Sequence, residues 1–511
     1  ESQNADFSEL KEDKNYVADI FVESPITKSG GNDVILTLKA QQQVRLDADV
    51  KSTSGKMNII LWSDSAGQNS GAVILNADLD SHGGDITIGS GKNITDGSVG
   101  TYIGITEAEL NELIASDTRT DRNIVTYGGN LNMYGDLLLA TGDYTNFNTV
   151  AADGVSGGSV LVKGRIDSGN FYKAIKSGDT TNLLTWDKAR TLAYTNSQGI
   201  TTTGGGDIWD SYLTNITSNL ENSVVASTFE KTTMYTAYFI GAYTKDVSSL
   251  PRTWYWADGP EAGKTFYQQT KGKNAADPHG TSDGMDYTYN KWHSGEPNND
   301  GSQNIATIGY GWDAKWDDNV AGNRIKDSVP EIPGYIQETN MVRSALKIDS
   351  GTGKVEVTDK IGSQRTLWEL DVNNTNDVTF DGSIQLSDDY YNGKQFYSDM
   401  NIHSTGKITM KDFVDATGNI NIGYDKAGNT INTGAVEAVS TLTAENGNVV
   451  IGSSTGRAAS ALLKGQVTAG AGVSIYTSGD VESDAGILAK GNDNTALGSG
   501  LATPKVAGNV V

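Results

Sequence analysis

Oxygen-bearing side chains are concentrated in two neighbouring stretches of the sequence. YNKWHSGEPNNDGSQNIATI begins at Tyr289, and KWDD begins at Lys315. Both stretches combine carboxylates with side-chain amides, which are the groups that Ca²⁺ prefers, since this cation takes about 6 to 8 oxygen ligands. The residue types therefore favour a calcium site in this part of the chain.

Other common site chemistries lack their residues. The chain has no Cys, which excludes thiol catalysis, disulfides and Cys-ligated zinc or iron–sulfur centres. Its four His residues show no metal-ligand spacing, and no glycine-rich phosphate loop occurs. DVNNTNDV, from Asp371, is rich in oxygen ligands but does not repeat in register, so a plain turn is predicted there.

The charge balance excludes some classes of partner. With 39 basic and 63 acidic residues, the net charge is −24, which repels nucleic-acid phosphates and anionic lipid surfaces. The sequence contains no apolar run approaching the length of a membrane span, so we expect no membrane insertion in this segment. Nucleic acid is not an expected partner.

Short alternating segments dominate both ends of the chain, and they predict the architecture that carries the acidic stretches. DVILTLKA, MNIILW and SVLVKG occur before residue 168, and KVEVTD, GKITMKD and GVSIYTSGDV occur after residue 344, with Gly, Asn and Asp between such segments. Strands this short without intervening helices favour a parallel β-helix, with a series of β-sandwiches as the alternative. The exception is TEAELNELIA, where Thr106 and Glu109 predict a capping box before a short helix.

The middle of the chain has a different composition, which indicates an insert. Most of the Trp residues lie there, at positions 186, 209, 254, 256, 292, 312 and 316. A narrow solenoid coil has little room for Trp, whereas a compact loop-rich domain uses it. We therefore divide the chain into an N-terminal lead-in or cap (1–30), a first stalk part (31–168), the insert (169–343) and a second stalk part (344–511), and we expect the insert to protrude from the stalk.

The insert resembles the C-type lectin-like domain, because five motifs occur in that family's order. NFYKAI with LTWDKARTLA resembles its first strand and helix, with Trp186, Ala189 and Ala193 on one helical face. YFIGAY resembles its W-I-G-L strand, TWYWADG its W-x-W-x-D-G segment, and EPNN with KWDD its ligand-bearing loops; GYIQE closes the domain. The flanks resemble filamentous-haemagglutinin-like stalks of bacterial exported adhesins. The fold class implied is mainly β, a parallel β-helix (solenoid) stalk with an inserted α+β domain.

The resemblance also implies a Ca²⁺ site and a way of binding sugar. Its metal ligands would be Glu296, Asn298, Gln303, Asp317 and Asp318. Where the family usually has Glu the chain has Gln303, and where it has Asn the chain has Asp317, so the set keeps three carboxylates and two amides. Glu296, Asn298, Gln303 and Asp317 would also bond the sugar hydroxyls, and the E-P-N triplet implies mannose-, glucose- or fucose-type ligands.

These features predict a secreted adhesin of a bacterial cell surface that binds carbohydrate, either a biofilm matrix polysaccharide or a glycan of another cell, and that is not an enzyme. One alternative is an adhesin whose lectin-like domain binds a protein receptor without calcium, using loops such as 269–288. Another is a polysaccharide-degrading β-helix enzyme with a carbohydrate-binding insert. Catalysis requires convergent acids or bases, whereas the carboxylates of the stalk segments are scattered at turns.

Overall fold

A computed structural model describes most of the chain. The described residues are 19–176, 184–195, 211–229, 236–246, 249–273, 275–299, 303–310, 314–321, 331–341, 343–391 and 394–490. Residues 1–18 of the predicted lead-in, Trp209 and Trp312, and the end of the second stalk part lie outside them.

The first part of the stalk is built from short strands and one helix. They are β1 (Ile20–Val22), β2 (Ile26–Lys28), β3 (Val34–Lys39), β4 (Val44–Leu46), β5 (Val50–Ser52), β6 (Met57–Ser63), β7 (Val73–Leu75), β8 (Leu79–Asp80), β9 (Ile86–Ser90), β10 (Thr101–Gly104), α1 (Glu107–Ser116), β11 (Arg122–Val125), β12 (Leu131–Tyr134), β13 (Leu137–Ala140), β14 (Tyr144–Asn148), β15 (Val160–Lys163) and β16 (Ile166–Ser168).

The described residues of the insert form strands and two helices. They are β17 (Phe171–Lys176), α2 (Trp186–Thr195), β18 (Ser211–Leu213), α3 (Asn219–Ala226), β19 (Thr236–Thr244), β20 (Arg252–Trp256), β21 (Thr265–Gln269), β22 (Gly280–Thr281), β23 (Ile305–Tyr310), β24 (Lys315–Asn319) and β25 (Glu331–Thr339).

Within the described residues, strands are the regular elements of the second part of the stalk. They are β26 (Ala345–Asp349), β27 (Val355–Val357), β28 (Glu369–Thr375), β29 (Val378–Phe380), β30 (Ile384–Leu386), β31 (Asp389–Tyr391), β32 (Lys394–Phe396), β33 (Met400–Ser404), β34 (Ile408–Met410), β35 (Val414–Ala416), β36 (Ile420–Ile422), β37 (Val436–Ala438), β38 (Leu442–Ala444), β39 (Val449–Ile451), β40 (Ala461–Leu463), β41 (Val467–Ala469), β42 (Val473–Ile475), β43 (Val481–Ser483) and β44 (Ile487–Ala489).

The stalk strands pair in parallel with strands of the next coil and form three faces. Face A begins with β1-β4-β7-β10-β13-β16 and continues with β30-β35-β38-β41-β44, joined through bridges of Ile361 to Ile166 and Ile384. Face B runs from β2 to β42, and face C runs from β3 to β43. This parallel pairing confirms the predicted mainly β class with a parallel β-helix and excludes the β-sandwich alternative. The first coil begins at Ile20, within the segment assigned to the lead-in.

The insert does not interrupt the solenoid. Strand β14 pairs directly with β26, with Phe147 opposite Ile348, and β15 pairs with β27, with Val160 opposite Val355. One core of inward-pointing Val, Ile, Leu and Met side chains continues through both stalk parts. The turn predicted at Asp371 is wrong, because DVNNT belongs to β28, where Leu370 and Val372 enter this core. The oxygen-rich composition hid the alternation of a strand that has one polar face.

The insert is an α+β unit around a largely antiparallel sheet. Its strands follow the order β17-β25-β19-β20-β21-β22, with β18 on β25 and the β23–β24 hairpin on β19. Trp186, Ala189 and Ala193 of α2 are buried together, which confirms the predicted helical face. The chain enters along β17 and leaves along β25, which are paired neighbours. The two ends of the insert therefore meet at the stalk.

The insert also packs on face A of the first stalk part. Ile74, Tyr102 and Leu138 point outward from the solenoid and share a hydrophobic cluster with Phe171 and Val224 of the insert. Helix α1 covers part of the same face through Leu110 and Leu113. Its predicted capping box is confirmed: Thr106 Oγ1 accepts from the N–H of Glu109, whose carboxylate accepts from the N–H of Thr106.

Candidate metal centre

The predicted ligands are positioned by a β-hairpin and by the loop that precedes it. In the hairpin, Asp317 lies opposite Thr307 and Asp318 lies opposite Ala306. The chain before the E-P-N loop is tied to β24, because the N–H of Trp316 donates to Lys291 (2.9 Å) and the N–H of His293 donates to Trp316 (2.8 Å). Loop and strand therefore approach each other from opposite sides of one site.

A cluster of aromatic rings supports both elements from below. Trp292 makes an edge contact with Trp316 at 5.8 Å between ring centroids and another with Trp254 at 4.8 Å. Trp316 is fully buried, and its indole N–H donates to Asn222 of α3 at 2.8 Å. The Trp292 ring therefore packs the domain and holds the start of the loop against β24.

Three of the predicted carboxylates converge. Each of Glu296, Asp317 and Asp318 offers an oxygen that lies within 4.8 Å of those of the other two. Asp317 and Asp318 are buried and Glu296 is half-buried. Among the described residues, no other group of three or more His, Asp or Glu side chains meets this spacing.

The E-P-N loop is hydrogen-bonded around these carboxylates. Asp318 accepts from the backbone N–H groups of Asn298 and Asn299, both at 2.8 Å. The amide of Asn298 donates to Glu296 Oε1, also at 2.8 Å. These bonds link Glu296 and Asn298 of the loop to Asp318 of the strand. The Glu296–Pro297 peptide bond is cis, as the resemblance implies.

The longer loop 269–288 supports the E-P-N loop. Gln269 Nε2 donates to the carbonyl of Pro297 at 2.8 Å, and a ring nitrogen of His279 lies 3.0 Å from the same oxygen. Asp277 accepts from the N–H of Gly295 at 2.9 Å. These supporting residues could not be identified from the sequence, because their separation from the E-P-N motif along the chain does not indicate that the folded loop brings them next to it. His279 is buried and serves here as a hydrogen-bonding residue.

The two exchanged positions are placed differently. Asp317 is one of the three convergent carboxylates. Gln303 is buried at the start of the hairpin, where its carbonyl accepts from the guanidinium of buried Arg252 at 3.0 Å. That bond fixes the backbone at Gln303 and adds Arg252 to the residues that shape the site.

The electrostatics of the cluster fit a divalent cation. Burial and the neighbouring carboxylates of Asp318 and Asp317 raise the pKa of Glu296. Its Oε2 atom is buried and receives no hydrogen bond from the described residues. Ionised carboxylates at this separation repel each other, and a cation with oxygen ligands removes that repulsion. The donor set of carboxylates and amides is the set that Ca²⁺ prefers.

Comparisons with known proteins gave one weak structural match. The crystal structure of C-type lectin CEL-I from Cucumaria echinata is similar to 34% of this chain, with 18% identity, a TM-score of 0.22 and 93% of that chain covered. The chain matches no protein-family model and no curated protein. Within the described ranges, no helix is long and apolar enough to cross a membrane.

Proposed function

We propose that this chain is part of a secreted bacterial surface adhesin whose insert binds glycan through Ca²⁺. Glu296, Asn298, Gln303, Asp317 and Asp318 would hold the ion. The observation that carries the proposal is the convergence of three carboxylates, one of which has a buried oxygen without a hydrogen-bond donor among the described residues. Such a cluster is unfavourable by itself and becomes favourable when a cation binds.

The side chains around the ion would orient the sugar. When bound, Ca²⁺ supplies a positive centre that two neighbouring hydroxyls of a sugar can approach. Asn298 and Gln303 would donate to those hydroxyls, while Glu296 and Asp317 would accept from them. The hydrogen bond between Asn298 and Glu296 already sets a donor beside an acceptor at 2.8 Å. We expect mannose-, glucose- or fucose-type ligands.

The stalk gives this site a role in adhesion. A single shallow sugar site has low affinity, and many copies on one surface raise the effective concentration of sites. The solenoid core passes the insert without a break, so the insert is carried on a continuous support. This arrangement suits display, and we propose that the chain has no catalytic activity.

Glycan-array binding by the full chain tests the proposal, with calcium in one arm and a chelator in the other. We expect binding to mannose-, glucose- or fucose-type glycans that the chelator abolishes. Asp318→Asn should lose this binding, whereas the exposed Asp283→Asn in the same domain should keep it. Binding to a protein receptor that survives the chelator would support the receptor alternative. Release of products from a polysaccharide would support the enzyme alternative.

A further inference from the structure

Face B of the stalk carries a groove that is separate from the metal centre. It encloses about 870 Å³, which lies within the roughly 300–1,000 Å³ typical of ligand sites. Strands β11, β14, β26, β28 and β33 form its floor, and the loops at Gly154 and at Asp425–Ala427 flank it. Neighbouring strands are about 4.8 Å apart, so five of them span about 19 Å.

The floor presents polar side chains in register. One row, formed by successive Cα partners on the paired strands, consists of Asn123, Asn146, Lys347 and Asp371, and it continues beyond the groove lining through Asn401 and Asn421. A second row consists of Val125, Asn148, Asp349 and Asn373. Both rows continue from the first stalk part into the second, since Asn146, which precedes the insert in the sequence, lies beside Lys347, which follows it. A ladder of amides and charged groups therefore lies along the axis of the stalk.

Hydrogen bonds hold much of this floor in place. Asn146 Nδ2 donates to Asp121 at 3.1 Å and to Asn123 at 3.0 Å. Asn401 Nδ2 donates to Asp371 at 2.6 Å, and Asn421 Nδ2 donates to Asn401 at 2.9 Å. Preorganised side chains lose little entropy when a ligand binds. The groove is therefore prepared for a ligand that hydrogen-bonds along its length.

One polar atom beside the floor lacks a partner. Asn373 Oδ1 is buried and accepts no hydrogen bond from the described residues. A buried acceptor without a donor costs about 1–3 kcal/mol. At one wall, Lys426 lies 4.6 Å from the centroid of the Tyr144 ring and 2.6 Å from Glu369. These contacts fix the wall over the floor.

The lining selects one class of ligand. Amides and carboxylates offer donors and acceptors side by side, which matches hydroxyl groups that both donate and accept. The lining carries four Asp and two Lys side chains, so an anionic chain would be disfavoured. The strands of the floor already use their backbone groups in pairing, so a peptide finds no free strand edge to pair with.

We propose that this groove is a second glycan site, which binds a linear neutral oligosaccharide along the stalk without calcium. Asn146 and Asn373 contact the ligand, and Ala427 stands at the rim. The site shares no residue with the metal centre, so either can fail while the other stands.

Calorimetry of the full chain in chelator tests the groove, with linear glucose and N-acetylglucosamine oligomers from disaccharide to octasaccharide as probes. We expect binding that tightens with oligomer length. Asn146→Ala and Asn373→Ala should each weaken it roughly tenfold, the effect of about 1.4 kcal/mol. Ala427→Trp should block it without touching the floor. Asn132→Ala, at a similarly half-buried position of face C, is the matched control and should bind normally.

Three outcomes would overturn this proposal: no neutral oligomer binds in chelator, binding is unchanged in the Asn146, Asn373 and Ala427 variants, or a polygalacturonate oligomer or a peptide binds in the groove instead. Asp318→Asn separates the two sites. It should abolish calcium-dependent binding and leave chelator-resistant binding intact.

Discussion

Face A of the stalk differs between the coils that lie under the insert and the coils beyond it. In the covered coils, the outward positions are Ile74, Tyr102 and Leu138, and all three are buried. In the later coils, the corresponding positions of β30, β35, β38 and β41 are Gln385, Asp415, Thr443 and Thr468, which are partly exposed. The inward positions are predominantly apolar in both regions.

This difference shows that the solenoid fold constrains only the inward-facing half of its strand residues, where apolar side chains are needed. The outward half depends on what covers each coil, since an apolar side chain is stable there only when another surface removes it from water. The insert is therefore attached by a packed surface as well as by its two chain connections. Its position above the stalk is part of the fold.

Removing the insert is expected to have the largest effect. A chain with residues 170–343 deleted and Gly169 joined to Ser344 exposes Ile74, Tyr102 and Leu138, each worth roughly 1.5–3 kcal/mol when buried. We expect this variant to aggregate, as measured by light scattering. The same deletion with Ile74→Thr, Tyr102→Thr and Leu138→Thr should stay monomeric with a β-rich circular dichroism spectrum. Equal solubility of both variants would contradict the packed interface.

Calcium is expected to stabilise the insert more than the stalk. At about a hundred times its dissociation constant, a bound ion adds about 2.7 kcal/mol to the folded state. Most Trp residues lie in the insert, so Trp fluorescence should report a higher melting temperature for the insert when calcium is present. Asp318→Asn should remove most of the increase and Asp283→Asn should not. A uniform shift of both regions, or none, would argue against an ion at the carboxylate cluster.

Under the proposed function, exchanging residues 303 and 317 should separate metal binding from sugar binding. Gln303→Glu removes a donor and adds a carboxylate, so calcium should bind at least as tightly while sugar binding weakens by about 1–3 kcal/mol. The double variant Gln303→Glu with Asp317→Asn has the arrangement usual in C-type lectin-like domains and should recover sugar binding. Calorimetry with calcium and a mannose-type ligand measures both. Identical sugar affinity in all three proteins would mean that these side chains do not contact the sugar.

The smallest expected effect concerns helix α1, which covers face A beside the insert. Thr106→Ala removes the side-chain cap and should cost about 1 kcal/mol of stability, measured by denaturant unfolding. Thr118→Ala, beyond the other end of the helix, is a control that should change little. If Thr106→Ala and Thr118→Ala lower the free energy of unfolding equally, the side-chain cap does not stabilise helix α1.

Much of this structure followed from local patterns. The strands, the capping box at Thr106 and the buried face of α2 are short-range features, so periodicity and residue type predicted them. The apolar outward side chains of face A could not be predicted without knowing which coils the insert covers. The polar rows on face B could not be predicted without the register that places Asn146 beside Lys347, because the whole insert separates these two residues in the sequence. Gln269 and His279 reach the E-P-N loop, and Arg252 reaches Gln303, from distant positions, so sequence spacing gave no sign of them.

The most direct test is a crystal structure of the full chain grown with calcium, using the anomalous signal of the ion. We predict one strong anomalous peak among Glu296, Asp317 and Asp318, with oxygen ligands at about 2.3–2.6 Å. A well-ordered E-P-N loop without a peak at millimolar calcium, or a peak only elsewhere in the molecule, would contradict the assignment of this cluster as the calcium site.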